Sequence, residues 1–304
     1  MLVVLRFLIL SICAVSLSAP VQAHAEELKI EGSTITIQYD AKFAPALEHN
    51  IRQWVKNSAT AVSRYYHGFP VQKCKVLVHA EDGSGVGVSE AKFDHCEIVI
   101  DVPLGIGTST TELREDWILA HEMTHLAFPL VTRKDRWLVE GMATYVEPFA
   151  RMHVGLMSVA EVWEDLVKRC PDGQPRNSTE TLANSRRIDR IYWGGASFCL
   201  LADMELRKQS NNRFGLQDAL AAICKDGANF ESELSARQAL ALGDKALKTN
   251  ILVSLYDRFA NSSAQIDVNS IFKSLGVNKQ GSKVIFDDAA PLAGYRKKIN
   301  RGAE

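Results

Sequence analysis

The apolar positions follow two different rhythms. Leu28, Ile30, Ile35, Ile37 and Tyr39 alternate on either side of Glu31-Gly32, which predicts two strands joined by a turn. Leu47, Ile51, Trp54, Val55, Val62 and Tyr65 lie on one side of a helix over 46–66, which Gly68 and Pro70 end. Runs rich in Val and Ile predict further strands over 74–79 and 97–102. The glycine-rich segment 82–88 between them lacks the G-x-G-x-x-G register of a dinucleotide loop and reads as a flexible connection. Its alternative reading is an exposed edge over 87–91, along which an extended peptide pairs.

Beyond residue 108 the spacing becomes helical. Ser109 and Glu112 form a capping-box pattern ahead of a helix over 112–128, where Leu113, Trp117, Ala120 and Met123 recur and Pro129 is the stop. Further helices are predicted over 159–168, 188–208, 216–224, 232–242, 247–259 and 266–275, with a polar loop over 171–185 and a strand over 283–286. Strands segregated from helices along the chain make an α+β pattern. It comprises a small mixed sheet with a helix over 26–107 and a mostly helical part over 108–304.

Residues 1–25 read as an export leader. Arg6 supplies charge, residues 7–17 an apolar core, and small residues around Ala23 and Ala25 a cleavage site near 23–25. The expected product is periplasmic or secreted, with no membrane span in the mature chain. Losing Arg6 takes the formal charge from −1 to −2, so no basic footprint for nucleic acid or anionic lipid remains. A composition 46% hydrophobic and 23% charged is that of a globular protein, which excludes a disordered or fibrous chain. Five cysteines follow the leader, and an oxidising compartment favours pairing. The expected disulfides are Cys74 with Cys96 and Cys170 with Cys224, with Cys199 a buried thiol.

The chemistry centres on His121-Glu122-Met123-Thr124-His125. On a helix the two histidines lie one turn apart on one face and can both reach a tetrahedral zinc. Glu122 stands about 100° round the helix, beside the ion, where a general base for an activated water belongs. Glu140 follows on a second amphipathic segment after a short polar turn. A structural zinc site is usually closed and rich in Cys, unlike this set. Glu147 is read either as a carboxylate orienting a ligand histidine or as a solvated charge.

Three motifs resemble the gluzincins, the thermolysin-like zinc metallopeptidases whose third ligand is glutamate, and are most similar to the glycyl aminopeptidase family. They are the HExxH just quoted, Trp137-Leu138-Val139-Glu140-Gly141-Met142-Ala143, and Tyr192-Trp193-Gly194-Gly195 with the helix that follows. The resemblance implies a thermolysin-like catalytic module with Zn2+ held by His121, His125 and Glu140, Glu122 as general base, and Tyr192 donating to the oxyanion. The implied partner is a peptide or protein substrate, cleaved in exo or endo mode. Tyr145 is the rival donor, though its place five residues past Glu140 suits a core role. Gly194 stands where the aminopeptidases have lysine, and no counterpart of their acidic exopeptidase motif is found. The alternative function is a non-catalytic envelope binding protein that keeps a gluzincin-like zinc site.

Overall fold

A computed structural model describes residues 24–302. The expected leader lies outside them except for His24 and Ala25, which begin the first strand. Strands β1 (His24–Ile30) and β2 (Ser33–Tyr39) form an antiparallel hairpin. Its two turn residues, Glu31 and Gly32, both have positive φ (47° and 93°), the primed-turn geometry whose twist suits a hairpin. Helix α1 (Pro45–Tyr66) crosses over to β3 (Lys73–Glu81), which pairs in parallel with β2. Strands β4 (Glu90–Asp94) and β5 (Glu97–Gly105) complete a five-stranded mixed sheet in the order β1-β2-β3-β5-β4. The polar edge strand β4 has no apolar alternation strong enough to predict it. Segment 82–88 is not a free linker: Gly85 and Gly87 exchange backbone hydrogen bonds with Gly105 and Pro103.

The helix expected over 112–128 is two helices, α2 (Thr110–Glu115) and α3 (Ile118–His125). The capping box of Ser109 and Glu112 opens α2 as expected. Asp116 then takes an extended conformation (ψ 137°), and its carboxylate accepts hydrogen bonds from the Leu119 amide at 3.2 Å and the Trp54 indole at 3.1 Å. An Asp that captures an amide three residues on caps a new helix instead of continuing the old one.

Helix α4 (Arg136–His153) begins where Asp135 accepts from Thr132 and, at 2.6 Å, from the Tyr256 hydroxyl. Helices α5 (Val159–Arg169), α6 (Ile188–Ser210), α7 (Leu216–Lys225), α8 (Ala236–Leu247), α9 (Ile251–Phe259) and α10 (Val268–Ser274) follow. A small hairpin of β6 (Val277–Gln280) and β7 (Lys283–Phe286) precedes α11 (Ala293–Arg301). Neither β6 nor α11 carries an apolar spacing strong enough to predict it. Buried side chains run continuously from Leu28 to Ile299, with α1 packed against α3, α4 and α7, so the sheet and the helices share one core. Among the described residues no helix is long and apolar enough to cross a membrane.

The expected disulfides are not formed: Cys74, Cys96, Cys170, Cys199 and Cys224 are all free thiols. Cys74 is buried within β3, whereas Cys96 is exposed in the tight turn between β4 and β5 with φ 65°. Cys170 is fully buried after α5, and the Cys224 thiol lies 3.6 Å from the Pro70 carbonyl. Cys199 is a buried thiol, as expected.

Candidate metal centre and active site

Two helices carry the site. On α3, His121 and His125 present their rings edge to face with centroids 4.9 Å apart. On α4, Glu140 aims Oε2 between them, 3.4 Å from Nε2 of His121 and 3.7 Å from Nε2 of His125. One donor atom from each residue lies within 4.8 Å of the others. A tetrahedral ion with bonds of about 2.0–2.1 Å needs ligand atoms roughly 3.3–3.5 Å apart, so two imidazoles and one carboxylate fit zinc here. The proton states of His125 and Glu140 fit as well. Burial, then the neighbouring His121, pushes His125 down to about 4, leaving its nitrogen lone pair free. Burial pushes Glu140 up, but His121, His125 and Arg136 outweigh it and hold the carboxyl at about 2.

Glu122 is not one of the three converging ligands, as its helical offset predicts. Its Oε2 accepts the Ala91 amide of β4 at 2.9 Å. Burial, opposed by His121 and that amide, raises its pKa to about 7, where a carboxylate can both take and release a proton. Tyr192 stacks on His121, with ring centroids 6.0 Å apart and planes 15° apart. Burial and then the charge of Glu140 push its phenol up to about 12, so it stays a protonated donor at neutral pH.

Close backbone contact brings Tyr192 to the metal ligands. Helices α4 and α6 cross at Gly141 and Gly195. A Cβ added at Gly195 would lie 2.6 Å from the Gly141 Cα, and one at Gly141 would lie 2.8 Å from the Ala196 nitrogen. Only glycines allow that approach, and each sits next to, or one turn from, a site residue.

Other candidates lie in the core, on the surface or along the adjoining cleft. Tyr145 is 1% exposed and donates to Asp203 at 2.9 Å, a core role. Asp203 also accepts from the Leu216 amide and pairs with Arg207, tying α6 to α7. Glu205 pairs with Lys208 on the surface. Glu147 is not a solvated charge: it is buried, pairs with Arg151 at 2.9 Å, and burial lifts it to about 7. Arg136 was missed, although its spacing four residues before Glu140 was visible; its Nε donates to Glu140 Oε1 at 3.0 Å. A cleft of about 1260 Å³ adjoins the site, with Trp117, His121 and Tyr192 on one side and α5 on the other.

No protein-family model matches the chain, and no curated protein matches it. Solved structures do. An aminopeptidase N family protein from Idiomarina loihiensis is 11% identical with a TM-score of 0.58, over 85% of this chain and 50% of that one. An M1 zinc metallopeptidase from Deinococcus radiodurans is 16% identical with a TM-score of 0.50, over 80% of this chain and 52% of that one. A mutant of the latter is 15% identical with the same TM-score, over 78% and 51%. The chain thus spans about half the length of the solved structures it matches. At such identities the likeness is one of fold: this α+β chain is built like part of the M1 zinc metallopeptidases.

Proposed function

We propose that this protein is an exported zinc-dependent peptidase. The observation that carries the reading is the convergence of His121, His125 and Glu140 on one point with Glu122 beside it and not on it. His121, His125 and Glu140 would hold the ion. Bound there, zinc supplies Lewis acidity towards a carbonyl oxygen and lowers the pKa of water. Glu122 accepts the proton of the attacking water and returns it to the leaving amine, a transfer suited to a carboxylate that titrates near 7. The Tyr192 phenol donates towards the oxygen on which negative charge develops. Among the described residues strand β4 pairs only with β5, so apart from the Ala91 amide, which Glu122 takes, its outer edge is left for an extended substrate backbone, and the adjoining cleft has room for side chains. Export rests on the leader pattern of residues 1–25, and a peptide or protein substrate rests on the motifs together with the shared fold.

The test is Glu122→Gln assayed on a peptide mixture by mass spectrometry, with zinc content measured in parallel. Expected is full zinc content with cleavage reduced by at least ~10³-fold, comparable to loss of a general base plus its electrostatic role. Cleavage at the wild-type rate would refute Glu122 as the base. A wild type that binds zinc and cleaves nothing would leave the non-catalytic binding protein as the reading. The product masses also separate exo from endo cleavage.

A further inference from the structure

Arg136 stands where local rules disfavour it. It is the first residue of α4, where the helix dipole opposes a cation. It precedes its partner by four residues, and a cation N-terminal to the carboxylate is the less favourable order. Its side chain is 57% exposed and that of Glu140 only 13%, so solvent screens one end of the pair. The helix dipole and the order of the pair along the helix therefore give no reason for the placement.

The contact itself gives one. The two oxygens of Glu140 have different partners: Oε1 receives the Arg136 Nε at 3.0 Å, whereas Oε2 faces His121 and His125 at 3.4 and 3.7 Å. We propose that Arg136 is a positioning residue of the metal centre, which occupies Oε1 of Glu140 so that only Oε2 is presented to the ion. A carboxylate free on both oxygens can rotate and chelate with both, filling coordination space that substrate or water needs. Outer partners of this kind orient the groups that bind metal, and their loss typically weakens metal binding by about 10–100-fold.

This inference rests on the zinc reading above, and its test does not use catalysis. Arg136→Met keeps the aliphatic stem and removes the cation, whereas Arg136→Lys keeps a cation. Zinc affinity is measured by competition with a chromophoric chelator, and the centre is loaded with Co2+ for its visible absorption spectrum. Thermal unfolding of the metal-free proteins checks that both variants fold. Expected for Arg136→Met is zinc binding weaker by about 10-fold or more. The Co2+ bands should also weaken, as four-coordinate cobalt gains a fifth oxygen. Arg136→Lys should restore both at least in part. If Arg136→Met binds zinc and absorbs as the wild type does, the proposal is overturned. It is equally overturned if Arg136→Lys is as impaired as Arg136→Met, since a cation on Oε1 would then not be the cause. A wild type that binds neither ion would sink the zinc reading and this proposal with it.

Discussion

Replacing Gly195 by alanine tests the architecture of the site through the sign of the effect. In a helix interior with open space, glycine to alanine stabilises by roughly 0.5–1 kcal/mol, because the unfolded chain has less freedom to lose. At Gly195 the new Cβ would meet the Gly141 Cα at 2.6 Å and press on the Trp137 carbonyl. An ordinary carbon contact needs about 3.5 Å, so α4 and α6 must part by about 1 Å. Overpacking of that kind costs about 1–3 kcal/mol. For a chain of this size that lowers Tm by roughly 2–10 °C. Tyr192 lies one turn before Gly195 on α6, and Glu140 lies next to Gly141 on α4, so the same movement separates the phenol from the metal ligands. A displacement near 1 Å can cost on the order of 10²-fold in rate. The assay pairs differential scanning calorimetry with kcat/KM on a cleaved peptide. Gly294→Ala in α11 is the internal control, because nothing lies within 4 Å of its added Cβ. Expected is a lower Tm and kcat/KM for Gly195→Ala and a slightly higher Tm for Gly294→Ala. A Gly195→Ala protein that melts no lower than the wild type and cleaves as fast would refute the close-crossing account.

Three further predictions concern single groups. In the metal-free protein, His125 titrates at about 4 instead of 6.5, so between these values the unfolded chain binds the extra proton. Stability from this residue is complete above pH 6.5 and is lost as pH falls through about 4, a change of about 3 kcal/mol. Urea unfolding should therefore show a steeper acid loss in the wild type than in His125→Gln, and equal slopes would refute the assignment. Tyr145→Phe leaves Asp203 without its hydroxyl donor and should cost about 1–2 kcal/mol while leaving cleavage within about twofold. Tyr192→Phe should do the reverse, losing on the order of 10²-fold in kcat with little change in Tm. If Tyr145→Phe abolishes cleavage and Tyr192→Phe does not, the two roles are exchanged.

The parts of the fold legible in the sequence were those written in local spacing. The Glu31-Gly32 turn, the long amphipathic α1 and the two histidines four residues apart each need only their neighbours to be recognised. The split between α2 and α3 is also local, but the apolar spacing makes Asp116 one more helical position, whereas its side chain caps the next helix. Long-range contacts left no trace in the spacing. The Ala91 amide reaches Glu122 across 31 residues, and the crossing of Gly141 with Gly195 joins helices more than fifty residues apart. The cysteine pairing failed because compartment and parity do not place two sulfurs together, and Cys74 and Cys96 differ in burial and in backbone surroundings.

The tether between β4 and Glu122 has a consequence for how this chain can vary. The group that holds the carboxylate is a main-chain amide, which every amino acid but one possesses. The exposed side chain of Phe93 can therefore change to suit different ligands without removing the amide that holds the proton carrier. Proline at 91 would cut the link directly, whereas a change of side chain at 93 leaves the main-chain donor in place.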